Sequence, residues 1–156
     1  NLVSSGRLVY APTPDLMLLA SPLWMPVAWA CVITELGYPA LRLFGLLKEK
    51  VSAPWAAMGS SVVIGISAGV MVGFYEYFAD LAGWWKYETA RVMIGSACAL
   101  FIPLGEAFMF LFILPVAARV MGKSDRPLAA QLEGGALFAM AIAGGYGLAY
   151  ALLEIR

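Results

Sequence analysis

Four long apolar runs, separated by short polar stretches, dominate the chain. Each reaches the roughly 20 residues that a helix needs to cross a bilayer. They predict spans from Pro22 to Leu46, Trp55 to Phe78, Pro103 to Met121 and Leu128 to Leu153. The expected fold is an all-α polytopic transmembrane helical bundle of about four membrane spans, with residues 1–156 as one transmembrane domain. Pro39 is expected to kink the first helix or end it early, because proline lacks the N–H that a helix interior needs. Val92–Phe101 is apolar but too short to span, and reads as a re-entrant or interfacial piece or a lead-in to the third span.

Small residues recur every fourth position in two of the spans. The second carries Ser61, Gly65, Gly69 and Gly73; the fourth carries Gly135, Ala139, Ala143, Gly147 and Ala151. In lipid such stripes let helix backbones approach closely. The stripe of the second span leads directly into two acids, since Gly69, Gly73, Glu76 and Asp80 share one helical face.

A longer period runs through the chain as well. The segment "GRLVY" (Gly6–Tyr10) returns 77 positions later as "GWWKY" (Gly83–Tyr87). In the same register Pro26 falls on Pro103, Arg42 on Arg119 and Gly45 on Gly122; with one extra residue Gly69 falls on Gly147 and Glu76 on Glu154. The repeat halves would be 6–82 and 83–156. Both would run the same way through the membrane, as a parallel repeat.

Composition agrees with the membrane class. The chain is 62% hydrophobic and only 13% charged, against about 25% charged in soluble domains. The basic residues Arg42, Lys48 and Lys50 follow the first span, and Arg119, Lys123 and Arg126 follow the third. By the positive-inside rule these loops face the cytoplasm and the termini face outward. The expected location is the bacterial inner (cytoplasmic) membrane. The net charge of zero shows no nucleic-acid footprint. Histidine is absent, which removes His-ligated haem and the usual catalytic zinc sites. No metal and no cofactor is expected. Cys31 and Cys98 read as small core residues and not as a disulfide.

The candidate chemistry lies in carboxylates. Glu35, Glu76, Asp80 and Glu106 fall within or at the ends of spans, where a charge near the bilayer centre costs about 2.5 kcal/mol or more and tends to face the interior with a role. Glu106 follows Pro103 by one turn, and Glu76 and Asp80 close the second span at the same side of the membrane. They are expected to meet under the Trp84–Trp85 loop. Carboxylates that share a poorly hydrated pocket cannot all ionise. A retained proton could pass to a carbon–carbon double bond, and the resulting cation would be stabilised by aromatic faces. Tyr75, Tyr77, Trp84, Trp85, Tyr87 and Phe108 supply them. The plainer reading stands beside this one: tryptophan and tyrosine at a span end form an interfacial belt, and Asp80 and Glu88 fit there as ordinary surface charges.

These residues resemble a family. "EYFADLAGWWKY" followed by "IPLGEAFMF" is similar to lycopene-cyclase-domain proteins and carotenoid hydratases, whose pattern is an acid, then Ala, then G-x-W-x-Y/F, then P-x-E-E-x-x-F-F. Glu76, Ala79, Gly83, Trp85 and Tyr87 fill the first part; Pro103, Glu106 and Phe110 fill the second. Gly6, Tyr10, Pro22, Pro26 and Trp29 match an earlier segment of the hydratase branch. The chain departs from the pattern at two acids: Glu76 stands for the usual Asp, and Gly105 for the first Glu of the pair. A further N-terminal helix that the resemblance implies has no counterpart, so the chain reads as a reduced member.

The resemblance implies proton-initiated cyclisation or hydration at the end of a long isoprenoid or carotenoid. Glu106 would donate the proton, with Glu76 or Asp80 assisting. Trp84, Trp85, Tyr87, Tyr75, Phe108 and Glu35 would line the substrate site. The competing expectation is a non-catalytic subunit of a larger membrane assembly, holding a carotenoid, quinone or lipid and docking other membrane subunits through its small-residue stripes. A small transporter built from the repeat fits less well, because few mid-membrane positions are polar.

Overall fold

The computed structural model describes residues 8–10, 16–18, 21–121 and 127–155. Gly6, Gly122, Lys123 and Arg126, cited above for the repeat and the topology, lie outside them. The described chain is an all-helical bundle with four helices long and apolar enough to cross a membrane, and the protein is an integral membrane protein.

The first two spans are α1 (Met25–Lys48) and α2 (Ala53–Leu81). Each begins with a proline in its first turn, where the missing N–H costs nothing. Of the two expected effects of Pro39, an early end does not occur: α1 continues past it to Lys48. Apolar packing outweighs one lost main-chain bond, and the two helices are tied across a buried contact in which the Ser60 hydroxyl donates to the Ala40 carbonyl at 2.8 Å. Cys31, expected in the core, is exposed on α1, while Cys98 is buried; both are free thiols.

The third span is broken. It comprises α3 (Phe101–Phe110) and α4 (Ile113–Met121), separated at Leu111 and Phe112. The fourth is α5 (Pro127–Leu153). Half of the third span is buried, against 11% of α1, so α3 is the helix around which the bundle forms. It lies between α2 and α5, and α1 packs on α2 and touches α4. Glycine makes both of its contacts close. A Cβ at Gly65 would stand 2.7 Å from the Ala107 carbonyl oxygen, and one at Gly69 2.8 Å from that of Pro103. On the other side, a Cβ at Gly145 would stand 2.9 Å from the Gly105 oxygen. The stripe of the fourth span behaves differently. Gly135, Ala139, Ala143, Gly147 and Ala151 are all exposed, and α5 reaches α3 through Phe138, Ala141, Gly145 and Ala149 instead.

Short strands cover one end. Strand β1 (Leu8–Tyr10) pairs antiparallel with β4 (Trp85–Tyr87), with Val9 opposite Lys86 at the centre. Two small hairpins flank this ladder: β2 (Met17–Leu18) with β3 (Ser21–Pro22), and β5 (Met93–Ile94) with β6 (Cys98–Ala99). The second of these is what the short apolar stretch forms. It is a tight hairpin turning at Gly95, which has φ +59°, and it leads into the third span at Phe101.

Candidate functional site

Helix α2 ends in a way that fixes the site. Gly83 adopts φ +68°, a left-handed conformation that only glycine takes readily. The Trp84 N–H donates back to the Ala79 carbonyl at 2.8 Å, and the Gly83 N–H to that of Asp80 at 2.9 Å, the paired bonds of a glycine C-cap. The chain therefore reverses sharply, and β4 returns over the last turns of α2. This places Trp85 and Tyr87 above Glu76.

Glu76 is buried, and one of its oxygens takes two donors. Trp85 Nε1–H donates to Oε2 at 2.7 Å, and the Tyr87 hydroxyl donates to the same atom at 2.9 Å. Burial beside the Glu76 carboxylate holds the Tyr87 hydroxyl well above the usual phenol range, so it remains a donor. Burial also raises Tyr10, whose ring meets Trp85 edge-on at 6.2 Å between centroids.

Glu106 sits on α3 and is only 3% exposed. Its Oε1 accepts the Tyr146 hydroxyl of α5 at 2.5 Å. Its Oε2 is buried and has no hydrogen-bond partner among the described residues. Glu76 and Glu106 line the same cavity of about 350 Å³, under the β1–β4 ladder and between α1, α2 and α3. Tyr10, Trp24, Trp29, Trp85 and Tyr87 contribute aromatic walls, and Ala28, Val32, Val72 and Ile102 apolar ones. Such a chamber, mostly apolar with a few convergent polar groups, is the usual form of a small-molecule site.

Tyr146 was not among the expected residues. It explains the departure at position 105: a Cβ there would lie 2.7 Å from the Tyr146 ring. The tyrosine occupies the space beside Gly105 and brings a hydroxyl to Glu106.

Other expected residues are placed apart. Asp80 is half-buried one turn beyond Glu76 and does not line the cavity. Phe108 is half-buried and packs against the cluster of Val72, Cys98, Phe101 and Ala149. Trp84 is 60% exposed. With Trp24, Trp85, Tyr75 and Glu35 it lines a second, lipid-side groove between α1 and α2, where the Tyr75 hydroxyl donates to Glu35 at 3.0 Å. The groove and the cavity share Trp24, Ala28, Val32, Tyr75 and Trp85 as a common wall. Glu154, the position that the repeat equates with Glu76, accepts the Arg91 main-chain N–H on its two oxygens at 3.0 and 2.9 Å. Among the described residues, no group of three or more Cys, Asp or Glu side chains could hold a metal ion.

The chain belongs to the family described as domain of unknown function (DUF6989), which matches residues 2–153. No curated protein and no solved structure matches it.

Proposed function

We propose that this DUF6989 protein is a membrane enzyme that protonates the terminal double bond of a long apolar isoprenoid, such as a carotenoid, and so starts cyclisation or hydration. The observation that carries the reading is the free, buried Oε2 of Glu106 in an apolar chamber. A carboxyl oxygen left without a protein partner there is suited to hold a proton and to meet a substrate atom. Tyr146 fixes the other oxygen and thus the direction of the group.

Protonation of a trisubstituted double bond places the positive charge on the more substituted carbon. The faces of Trp85, Trp24 and Tyr87 and the counter-charge of Glu76 suit a cation at that position. Glu76 Oε2 is already saturated by two donors, which favours an electrostatic role for this residue and a donor role for Glu106. In cyclisation the neighbouring double bond attacks the cation, and a proton leaves to a carboxylate, so the reaction is a net isomerisation. In hydration, water adds and surrenders a proton, and the product gains one water. The lipid-side groove that adjoins the chamber would admit the long chain laterally. The termini and the ladder would face outward from the cytoplasmic membrane, as the basic loops after α1 and the third span favour.

A second reading, a non-catalytic binding subunit, is favoured by Gly105, which leaves one free acid where the resembled pattern has two. Expression in cells that accumulate lycopene separates the two. New pigments in the extract, lost in Glu106→Gln, support catalysis. Unaltered pigment that co-purifies with the native chain would support binding alone.

A further inference from the structure

We infer that the lipid-side groove between α1 and α2 is a binding site for a long apolar alcohol, whose hydroxyl donates to the Glu35–Tyr75 pair. The site is separate from the chamber around Glu106 and does not depend on the chemistry proposed there.

The groove has the size and walls for such a molecule. Its volume is about 700 Å³, within the range of roughly 300–1,000 Å³ usual for small-molecule sites. Trp24, Trp84 and Trp85 cluster along it, with ring centroids 6.1, 6.2 and 6.3 Å apart. Their faces suit an extended or ring-bearing hydrocarbon.

The polar pair lies deeper. Glu35 stands about 15 Å along α1 from Met25, at 1.5 Å per residue, which is about half of a hydrocarbon core roughly 30 Å thick. An ionisable side chain at that depth is costly and marks a ligand or a partner. Glu35 is exposed in the groove. The Tyr75 hydroxyl donates to its Oε2 at 3.0 Å, while Oε1 accepts no hydrogen bond and no Lys or Arg pairs with it among the described residues. Thr34 beside it does not serve, since its hydroxyl donates to the Ala30 carbonyl at 2.8 Å. Bulk lipid does not serve it either: acyl chains carry no hydrogen-bonding group, and headgroups stay at the membrane surface.

The direction of the Tyr75 bond selects the ligand. The one phenol proton is spent on Glu35, so the atoms left to a ligand are acceptors, Glu35 Oε1 and the remaining lone pairs of the phenol oxygen. A molecule that satisfies them must donate. A hydroxyl does so; a ketone, an aldehyde, an ether or a plain hydrocarbon does not. An ammonium would donate as well, but it would have to carry its charge through lipid to that depth.

The test uses the full chain purified in detergent, with retinol as the probe. Energy transfer from tryptophan to retinol should be saturable. Retinol should bind about tenfold or more tightly than retinyl methyl ether, which keeps the polyene but has no donor; that ratio is the worth of about one hydrogen bond to a charged group. In the Cys98→Ala protein, bound retinol should slow the reaction of Cys31 with N-ethylmaleimide about fivefold or more, because this exposed thiol lines the same groove. Glu35→Gln should bring the retinol-to-ether ratio to within about threefold, since its amide can turn a donor to the groove. Tyr75→Phe, which leaves both carboxylate oxygens in place, should keep the preference. Equal affinities for retinol and its ether in the wild type would overturn the proposal, and this comparison needs no variant. Tighter binding of retinal or retinylamine than of retinol would overturn it too, as would saturable binding that leaves Cys31 unprotected.

Discussion

Tyr146 donates to Glu106 across the α3–α5 interface at 2.5 Å, and its ring fills the space that a side chain at position 105 would need. The acid, its hydroxyl partner and the glycine between them form one unit. In the pigment assay, Glu106→Gln should reduce turnover by about 10²–10⁴-fold, the usual worth of a positioned acid. Tyr146→Phe should cost about ten- to a hundredfold, the equivalent of one hydrogen bond to an ionisable group. Turnover rates from pigment chromatography decide both; wild-type turnover in Tyr146→Phe would remove it from the site.

Placing an acid at position 105 should not create a paired-acid site. A Cβ at 105 would lie 2.7 Å from the Tyr146 ring, so Gly105→Glu must displace that ring or α5. The expected loss is about 1–3 kcal/mol from overpacking, read as a lower thermal midpoint in detergent. Combining it with Tyr146→Ala should recover part of the loss, since the double variant removes the obstructing ring.

The two glycines nearest the end of α2 should respond differently to substitution. A Cβ at Gly69 would stand 2.8 Å from the Pro103 oxygen, whereas one at Gly73 meets nothing within 4 Å. Gly69→Ala should therefore destabilise by about 1–3 kcal/mol, and Gly73→Ala should change stability little, within about 0.5 kcal/mol. Detergent-based unfolding curves of the two variants make the comparison.

Trp85 and Tyr87 share one acceptor atom, so removing either leaves Glu76 Oε2 with one donor. Trp85→Phe should cost more than Tyr87→Phe, because Trp85 also packs against Tyr10 and stacks on Trp24, with 6.1 Å between the latter centroids. About 1–3 kcal/mol is expected for the lost buried bond in each case. Equal effects would show that the aromatic packing contributes little.

Cys98 gives a test that needs no substrate. Burial, with the Glu76 carboxylate as a lesser cause, pushes its thiol from the usual 9.0 up to about 12. At pH 8 the folded protein holds almost none of it as thiolate, the reactive form. Maleimide labelling of a Cys31→Ala protein should be about a hundredfold or more slower folded than after unfolding in SDS. The sign follows from the direction of the shift: raising the pH towards 12 should speed labelling of the folded state, while the unfolded chain, titrating near 9, gains little beyond that pH.

The four spans were legible because run length alone separates a membrane helix from a core helix, and Trp55–Phe78 and Leu128–Leu153 differ from the observed helices only at their ends. Glu76, Trp85 and Tyr87 were legible because they lie close together in sequence, joined by one glycine turn. Tyr146 was not. It stands 40 positions from Glu106, in a Gly/Ala-rich helix that advertises packing and not chemistry. The one available signal was Gly105, an empty place beside an acid, which asks what fills it. The break at Leu111–Phe112 was announced only by Pro115, whose missing N–H and ring disturb the helix at the carbonyl of Leu111, four residues before it. The stripe of α5 shows the limit of pattern: the same spacing that is packed in α2 is open in α5, because periodicity identifies a contact face but not what occupies it.

The β1–β4 ladder has a further consequence. Val9 and Lys86, opposite each other at its centre, are also 77 positions apart, so each strand pairs with its own counterpart about a local two-fold. A strand that can pair with itself in this way needs only one sequence to make both sides of the contact. Two separate copies of such a strand could close upon each other through this ladder alone. The lid is symmetric about its centre, while the acids beneath it differ: Glu76 lines the cavity and Glu154 accepts the Arg91 main-chain N–H.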